Sequence, residues 1–160
     1  MLKRFLFVAA LAGLAVPAFP QANPRGEAKA TVAGKSVSIE YGRPSLKGRD
    51  MLAQAKAGQS WRLGSDAATS LTTEINLDFG GVSVPKGTYI LTATKGEAGK
   101  WVMNVLAKED REKVANVSLT PSKTEEATEA FTIHVKAEGN EGRVKLLWGN
   151  TALKATFTAK

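Results

Sequence analysis

The feature that most limits what this chain can become is a period of two. Val37, Ile39 and Tyr41 alternate with Ser36, Ser38 and Glu40. Leu71, Thr73, Ile75 and Leu77 alternate with Ser70, Thr72, Glu74 and Asn76, and Phe131, Ile133 and Val135 with Thr132, His134 and Lys136. Successive strand side chains point to opposite faces, so each run presents one apolar and one polar face, as a half-buried antiparallel strand does. Turn residues separate the runs at Gly34-Lys35, Gly80-Gly81, Pro85-Lys86-Gly87, Lys95-Gly96, 138–142 and Gly149-Asn150. The spacing predicts about eight or nine short strands, over 27–33, 36–42, 68–78, 82–84, 88–94, 101–107, 114–120, 129–137, 143–148 and 151–158, some of them merging. Helix is confined to two stretches, 49–57 and 108–113. The expected fold is all-β, a single antiparallel β-sandwich or barrel-like domain.

The first residues follow a different rule. Lys3 and Arg4 precede an apolar run from Phe5 to Val16, and small residues stand at Ala18 and Ala22. That is the layout of a secretory signal peptide over 1–22, cleaved after 18 or 22, and the run is too short to span a bilayer. The remaining 23–160 is one domain, because 160 residues suit a single core. Removing Lys3 and Arg4 leaves 20 basic against 15 acidic side chains, a net charge of +5. There is no Cys and one His, so disulfides, thiolate sites and multi-His metal centres are excluded. An exported chain without disulfides suits a bacterial periplasm or cell exterior. No cofactor or metal is expected.

Three local patterns exceed generic strand and turn. They are Tyr41-Gly42-Arg43-Pro44-Ser45-Leu46-Lys47-Gly48-Arg49, then Trp61-Arg62-Leu63-Gly64-Ser65-Asp66-Ala67-Ala68-Thr69, then Val84-Pro85-Lys86-Gly87-Thr88-Tyr89 followed by Lys100-Trp101. In this order they resemble an uncharacterised family of exported bacterial proteins, the domain of unknown function 2911 family, from about Asn23-Pro24 to the last strand. That resemblance implies an exported β-rich domain and carries no activity with it. The family typically has Ala-Asn-Glu where this chain has Ser65-Asp66-Ala67, so a polar role of that Glu is lost here or moved to Asp66.

Between Tyr41 and Arg62 stand Arg43, Lys47, Arg49, Lys56 and Arg62 against one acid, Asp50. Tyr41, Arg43, Arg49, Trp61, Arg62 and Asp66 are the candidate site residues, and two readings stay open. In one, Arg side chains on a long excursion bind an anionic ligand or glycan beside the flat faces of Tyr41 and Trp61. In the other, the Arg side chains brace the loop on Asp50, Asp66 and backbone carbonyls, with Trp61 in the core and Arg62 paired with Asp66. Catalysis has less support. His134 falls on the polar face of its strand with no Ser or Asp near it in sequence, no Gly-x-Ser-x-Gly elbow is present, and Glu109-Asp110 and Glu125-Glu126 sit in solvated charge runs. Trp101 and Trp148 read as core anchors. The expected function is a non-enzymatic envelope domain that binds a small ligand, glycan or envelope protein through the 42–69 loop face. The alternative is an envelope or extracellular hydrolase. Nucleic acid is not an expected partner, because no basic stripe with interleaved aromatics is present.

Overall fold

The computed structural model describes residues 22–160. The expected signal peptide therefore lies, but for Ala22, outside the described residues. Strands β1 (Arg25–Val32) and β2 (Lys35–Gly42) form a hairpin over Ala33 and Gly34. Both turn residues have positive φ, 47° and 74°. A turn of that kind twists in the same sense as the strands it joins, and Gly tolerates it without strain. One helical turn, α1 (Met51–Gln54), follows, with the Asp50 carboxylate accepting from the Ala53 N–H at 3.0 Å as its N-cap. Then come β3 (Ser60–Trp61), β4 (Thr69–Thr73), β5 (Leu77–Asp78), β6 (Ser83–Val84), β7 (Gly87–Lys95), β8 (Trp101–Ala107), β9 (Lys113–Glu138) and β10 (Glu141–Ala159).

All pairings between these strands are antiparallel, in the order β1-β2-β4-β7-β8-β9-β10-β5-β6, with β3 alongside β7. The sheet does not close on itself, and the expected all-β class holds. Strand β9 serves two neighbours in succession: 113–119 pair with β8, and 120–138 with β10. Its far end comes back to the β1–β2 hairpin, where the Ala33 N–H donates to the Gly139 carbonyl at 2.8 Å. The alternating apolar residues Val37, Ile39, Leu71, Leu91, Val105, Phe131, Ile133 and Leu146 join one continuous buried cluster. Trp101 and Trp148 belong to it as well, at 4% and 5% exposure.

Several boundaries differ from the sequence reading. The strand expected over 68–78 breaks after Thr73, because the Thr73 hydroxyl donates to the Ile75 carbonyl (2.6 Å) and accepts from the Ile75 N–H (3.3 Å). Such a local side-chain bond competes with the ladder and turns the chain, so that β5 leaves β4 and pairs with the end of β10. The stretches expected at 114–120 and 129–137 are one strand, as are 143–148 and 151–158. Residues 108–113 are not helical. The Ala107 N–H bonds to the Glu112 carbonyl, Arg111 has φ 64°, and the Asp110 carboxylate accepts from the Glu112 N–H, which makes a tight turn into β9.

Candidate functional site

The first two sequence motifs meet backbone to backbone. A Cβ built on Gly42 would lie 2.1 Å from the Ser65 carbonyl oxygen, and one on Gly64 (φ 148°) would lie 2.9 Å from the Gly42 carbonyl oxygen. Only glycine fits such an approach. Past this contact the chain runs onto β9. Ser45 bridges Ala130, the Leu46 N–H donates to the Glu129 carbonyl (2.9 Å), and the Phe131 N–H donates to the Pro44 carbonyl (2.9 Å). Strand β9 is free to make these bonds because it bulges away from β10. From Lys123 to Thr132 it takes nine residue steps where β10 takes four, Leu147 to Thr151.

The six candidate residues divide. Tyr41 is buried, its hydroxyl accepting from the Ile133 N–H at 2.9 Å, and its ring meets Phe131 edge-on with centroids 5.5 Å apart. Arg43 donates from Nε to the Phe131 carbonyl (3.2 Å) and from Nη2 to Thr132 Oγ1 (3.1 Å). Trp61 is half-buried, stacked on Trp148 at 5.2 Å and edge-on to Phe131 at 4.8 Å. Asp66 accepts from both the backbone N–H (3.1 Å) and Nδ2 (3.3 Å) of Asn23, and the side-chain bond is the main reason its carboxyl lies below the usual carboxylate range. Arg49 and Arg62 are exposed and donate no side-chain hydrogen bond among the described residues. The expected Arg62–Asp66 pair does not form; the described residues hold one ion pair, Lys160 with Asp78. Asp50, expected as a partner for Arg, caps α1 instead.

Tyr41 and Arg43 are thus parts of a clasp that pins the excursion to β9, leaving Lys47, Arg49, Lys56 and Arg62 exposed without a side-chain hydrogen bond or ion pair among the described residues. A denser cationic surface lies on the same strand. On the polar face of the β9–β10 hairpin, Lys136 stands directly opposite Arg143, and one rung further His134 stands opposite Lys145. Rungs on one face are two residues apart, about 6.8 Å. A hollow of about 230 Å³ opens over them, lined by those four side chains and Lys154, with no acid in its wall. Like charges directly opposite on a sheet repel, and no carboxylate pairs with any of the five within 4 Å among the described residues. The neighbouring groove, of about 700 Å³, shares Lys136 and Arg143 and adds Phe157, Thr156 and Thr158. Its acids are the tip rung Glu138/Glu141 and Asp78, the last already paired with Lys160.

Sequence reasoning passed over this surface because its members are scattered. Read singly, His134 is a surface residue, and Lys136, Arg143, Lys145 and Lys154 are ordinary outward positions on alternating strands. The available signal was the register: a two-residue turn at Gly139-Asn140 places 134 opposite 145 and 136 opposite 143.

Comparison with known proteins adds the family and nothing about chemistry. No curated protein and no solved structure matches this chain. The model of a family described as protein of unknown function, DUF2911, matches residues 23–157, nearly everything beyond the expected signal peptide and including the clasp and both strands of the groove. This chain belongs to that family.

Proposed function

We propose that this protein is an exported, non-enzymatic domain that binds an anionic ligand, and that its binding face is the β9–β10 groove rather than the 42–69 loop. One observation carries the reading: five basic side chains converge on a hollow without an acid among them. Uncompensated cations cost stability unless a ligand supplies the missing charge, and a concave wall concentrates their field. The loop face supports binding less well, since Tyr41, Arg43 and Asp66 already spend their polar atoms on the protein itself. Lys3, Arg4 and the apolar run after them support export to the periplasm or the exterior.

The test is a thermal-shift series on the mature protein at low salt, against organic acids, nucleotides, anionic and neutral glycans, and lipids. A ligand that binds only the native state stabilises it by about 2.7 kcal/mol at one hundred times its Kd. Anionic members should raise Tm and lose the effect as salt screens the groove. A shift confined to neutral glycans, or one insensitive to salt, refutes this reading.

A further inference from the structure

We infer that the groove is a phosphate site: it takes the terminal phosphate of a phosphomonoester, with the remainder of the ligand lying in the adjoining larger groove. The inference rests on the anion-binding reading above and names its ligand class. Charge is the first argument. Lys136, Arg143, Lys145 and Lys154 carry four formal positive charges around about 230 Å³, with His134 as a fifth nitrogen donor or acceptor. A carboxylate or a phosphodiester brings one negative charge to that wall. A phosphomonoester brings −1.5 to −2 near neutral pH, together with three strong acceptor oxygens.

Donor geometry is the second argument. Arg143 supplies a planar fork suited to two oxygens of one tetrahedral group, while lysine ammonium groups act as point charges able to meet the others. Lys136 faces Arg143 across one rung, Lys145 stands on the next, and Lys154 closes the hollow from the second half of β10. The third argument is continuity. Lys136 and Arg143 line both the small hollow and the large groove, and the large groove adds the Thr156 and Thr158 hydroxyls and the Phe157 ring. A phosphate between the two basic rungs would therefore leave its organic substituent against a wall of mixed polarity, as a sugar or glycerol unit requires. The same chemistry is presented by a soluble sugar phosphate and by a phosphomonoester lipid headgroup.

The experiment uses the mature protein and the double variant Lys136→Gln/Arg143→Gln, with Arg49→Gln/Arg62→Gln as the remote-charge control. Probes are glycerol 1-phosphate, its methyl diester, sulfate and citrate, each followed by calorimetry and thermal shift at fixed ionic strength. Co-sedimentation uses phosphatidylcholine vesicles with or without phosphatidic acid. The expected result is glycerol 1-phosphate binding at least tenfold tighter than the diester or sulfate, lost at least tenfold in the groove variant and kept in the control. Both groove positions are exposed, and removing the like-charged rung should raise the ligand-free Tm of the variant at low salt, which also shows that it folds. Sedimentation with phosphatidic acid vesicles, abolished in the variant, supports the phosphate site and assigns the lipid source. Free-phosphate binding without sedimentation supports it and assigns a soluble one. Citrate or sulfate binding as tightly as the monoester, and lost in the variant, leaves the anion groove standing and overturns the phosphate inference. If no anion binds, or if binding survives in the groove variant, both readings fall.

Discussion

Replacing Arg43 and Arg62 by alanine, one at a time, separates a guanidinium that holds the fold from one that does not. Arg43 is half-buried and donates to the carbonyl of Phe131, a residue with no exposed surface, and to Thr132 Oγ1. In Arg43→Ala both acceptors lose a charged donor, at the edge of the segment where β9 bulges away from β10. Hydrogen bonds to charged groups contribute about 1.5–3 kcal/mol, and an unsatisfied buried acceptor costs about 1–3 kcal/mol. Water reaches a half-buried site and lowers that cost, so the expected loss is about 2 kcal/mol. With a urea slope of about 2 kcal/mol per M, the midpoint should fall by about 1 M. Arg62 is exposed, with no hydrogen bond or ion pair among the described residues. Its substitution should stay within about 0.5 kcal/mol, or about 0.25 M. The sequence alone favoured a loss of more than about 2 kcal/mol for Arg62→Ala as well, because Arg62 follows an expected core Trp and precedes Asp66 by four residues. Urea unfolding of the two variants beside the parent decides it, with Arg43→Lys as an intermediate that keeps charge but not the planar fork. The clasp argument fails if Arg62→Ala lowers the midpoint as much as Arg43→Ala does.

Gly42→Ala should cost at least about 1–3 kcal/mol through overpacking, since its Cβ would sit 2.1 Å from the Ser65 carbonyl oxygen; a urea midpoint equal to the parent's would refute the close approach. The hydrogen bond from Lys160 is the main reason the Asp78 carboxyl lies below its usual range. A depressed folded-state value means that the contribution is present above the unfolded value of about 3.9 and is lost as pH falls through the lower folded value. Urea midpoints measured from pH 5 downward should therefore fall less steeply in Asp78→Asn than in the parent, and parallel curves count against the pair. Intact-mass analysis of exported protein should place the mature N-terminus between residues 19 and 23, whereas a full-length cytoplasmic species removes the export reading.

What the sequence made legible was decided by whether burial alternates. Around Val37–Tyr41, Leu71–Thr73 and Phe131–Val135 one face is buried and the other is not, and each of these runs lies in a strand as expected, β2 within a residue of its expected limits. The middle of β9, residues 120–130, has no buried residue, and its Ser, Lys, Thr and Glu side chains read as a loop. Its strand character comes from backbone bonds to β10 and from the 44–46 segment docked on its bulge, and side-chain polarity carries no trace of either. Helix over 49–57 shrank to one turn because nothing beyond Asp50 caps it and only Leu52 of the turn is buried. At the site, residue type identified the Arg-rich excursion but could not divide it. Whether an Arg meets a carbonyl or solvent depends on a partner some 88 residues away, Arg43 with Phe131.

The clasp and the groove are connected through β9. A strand's side chains change face with every residue, so a slip of one position would turn His134 and Lys136 toward the core and Phe131 and Ile133 toward water. Register is least secure where β9 takes nine steps against four of β10, because there the β10 ladder leaves several β9 residues uncounted. The Tyr41 hydroxyl on the Ile133 backbone and the Arg43 guanidinium on the Phe131 carbonyl and Thr132 hydroxyl act at that place, one residue short of His134. Thr132 shares a face with His134 and Lys136, so the atom that receives Arg43 belongs to the same row of side chains that forms the basic rungs. The motif residues that stand out in the sequence thus determine where the cations point without being among them. This accounts for a chain whose most distinctive residues are tied into its own backbone while its most concentrated charge lies on a hairpin of ordinary appearance.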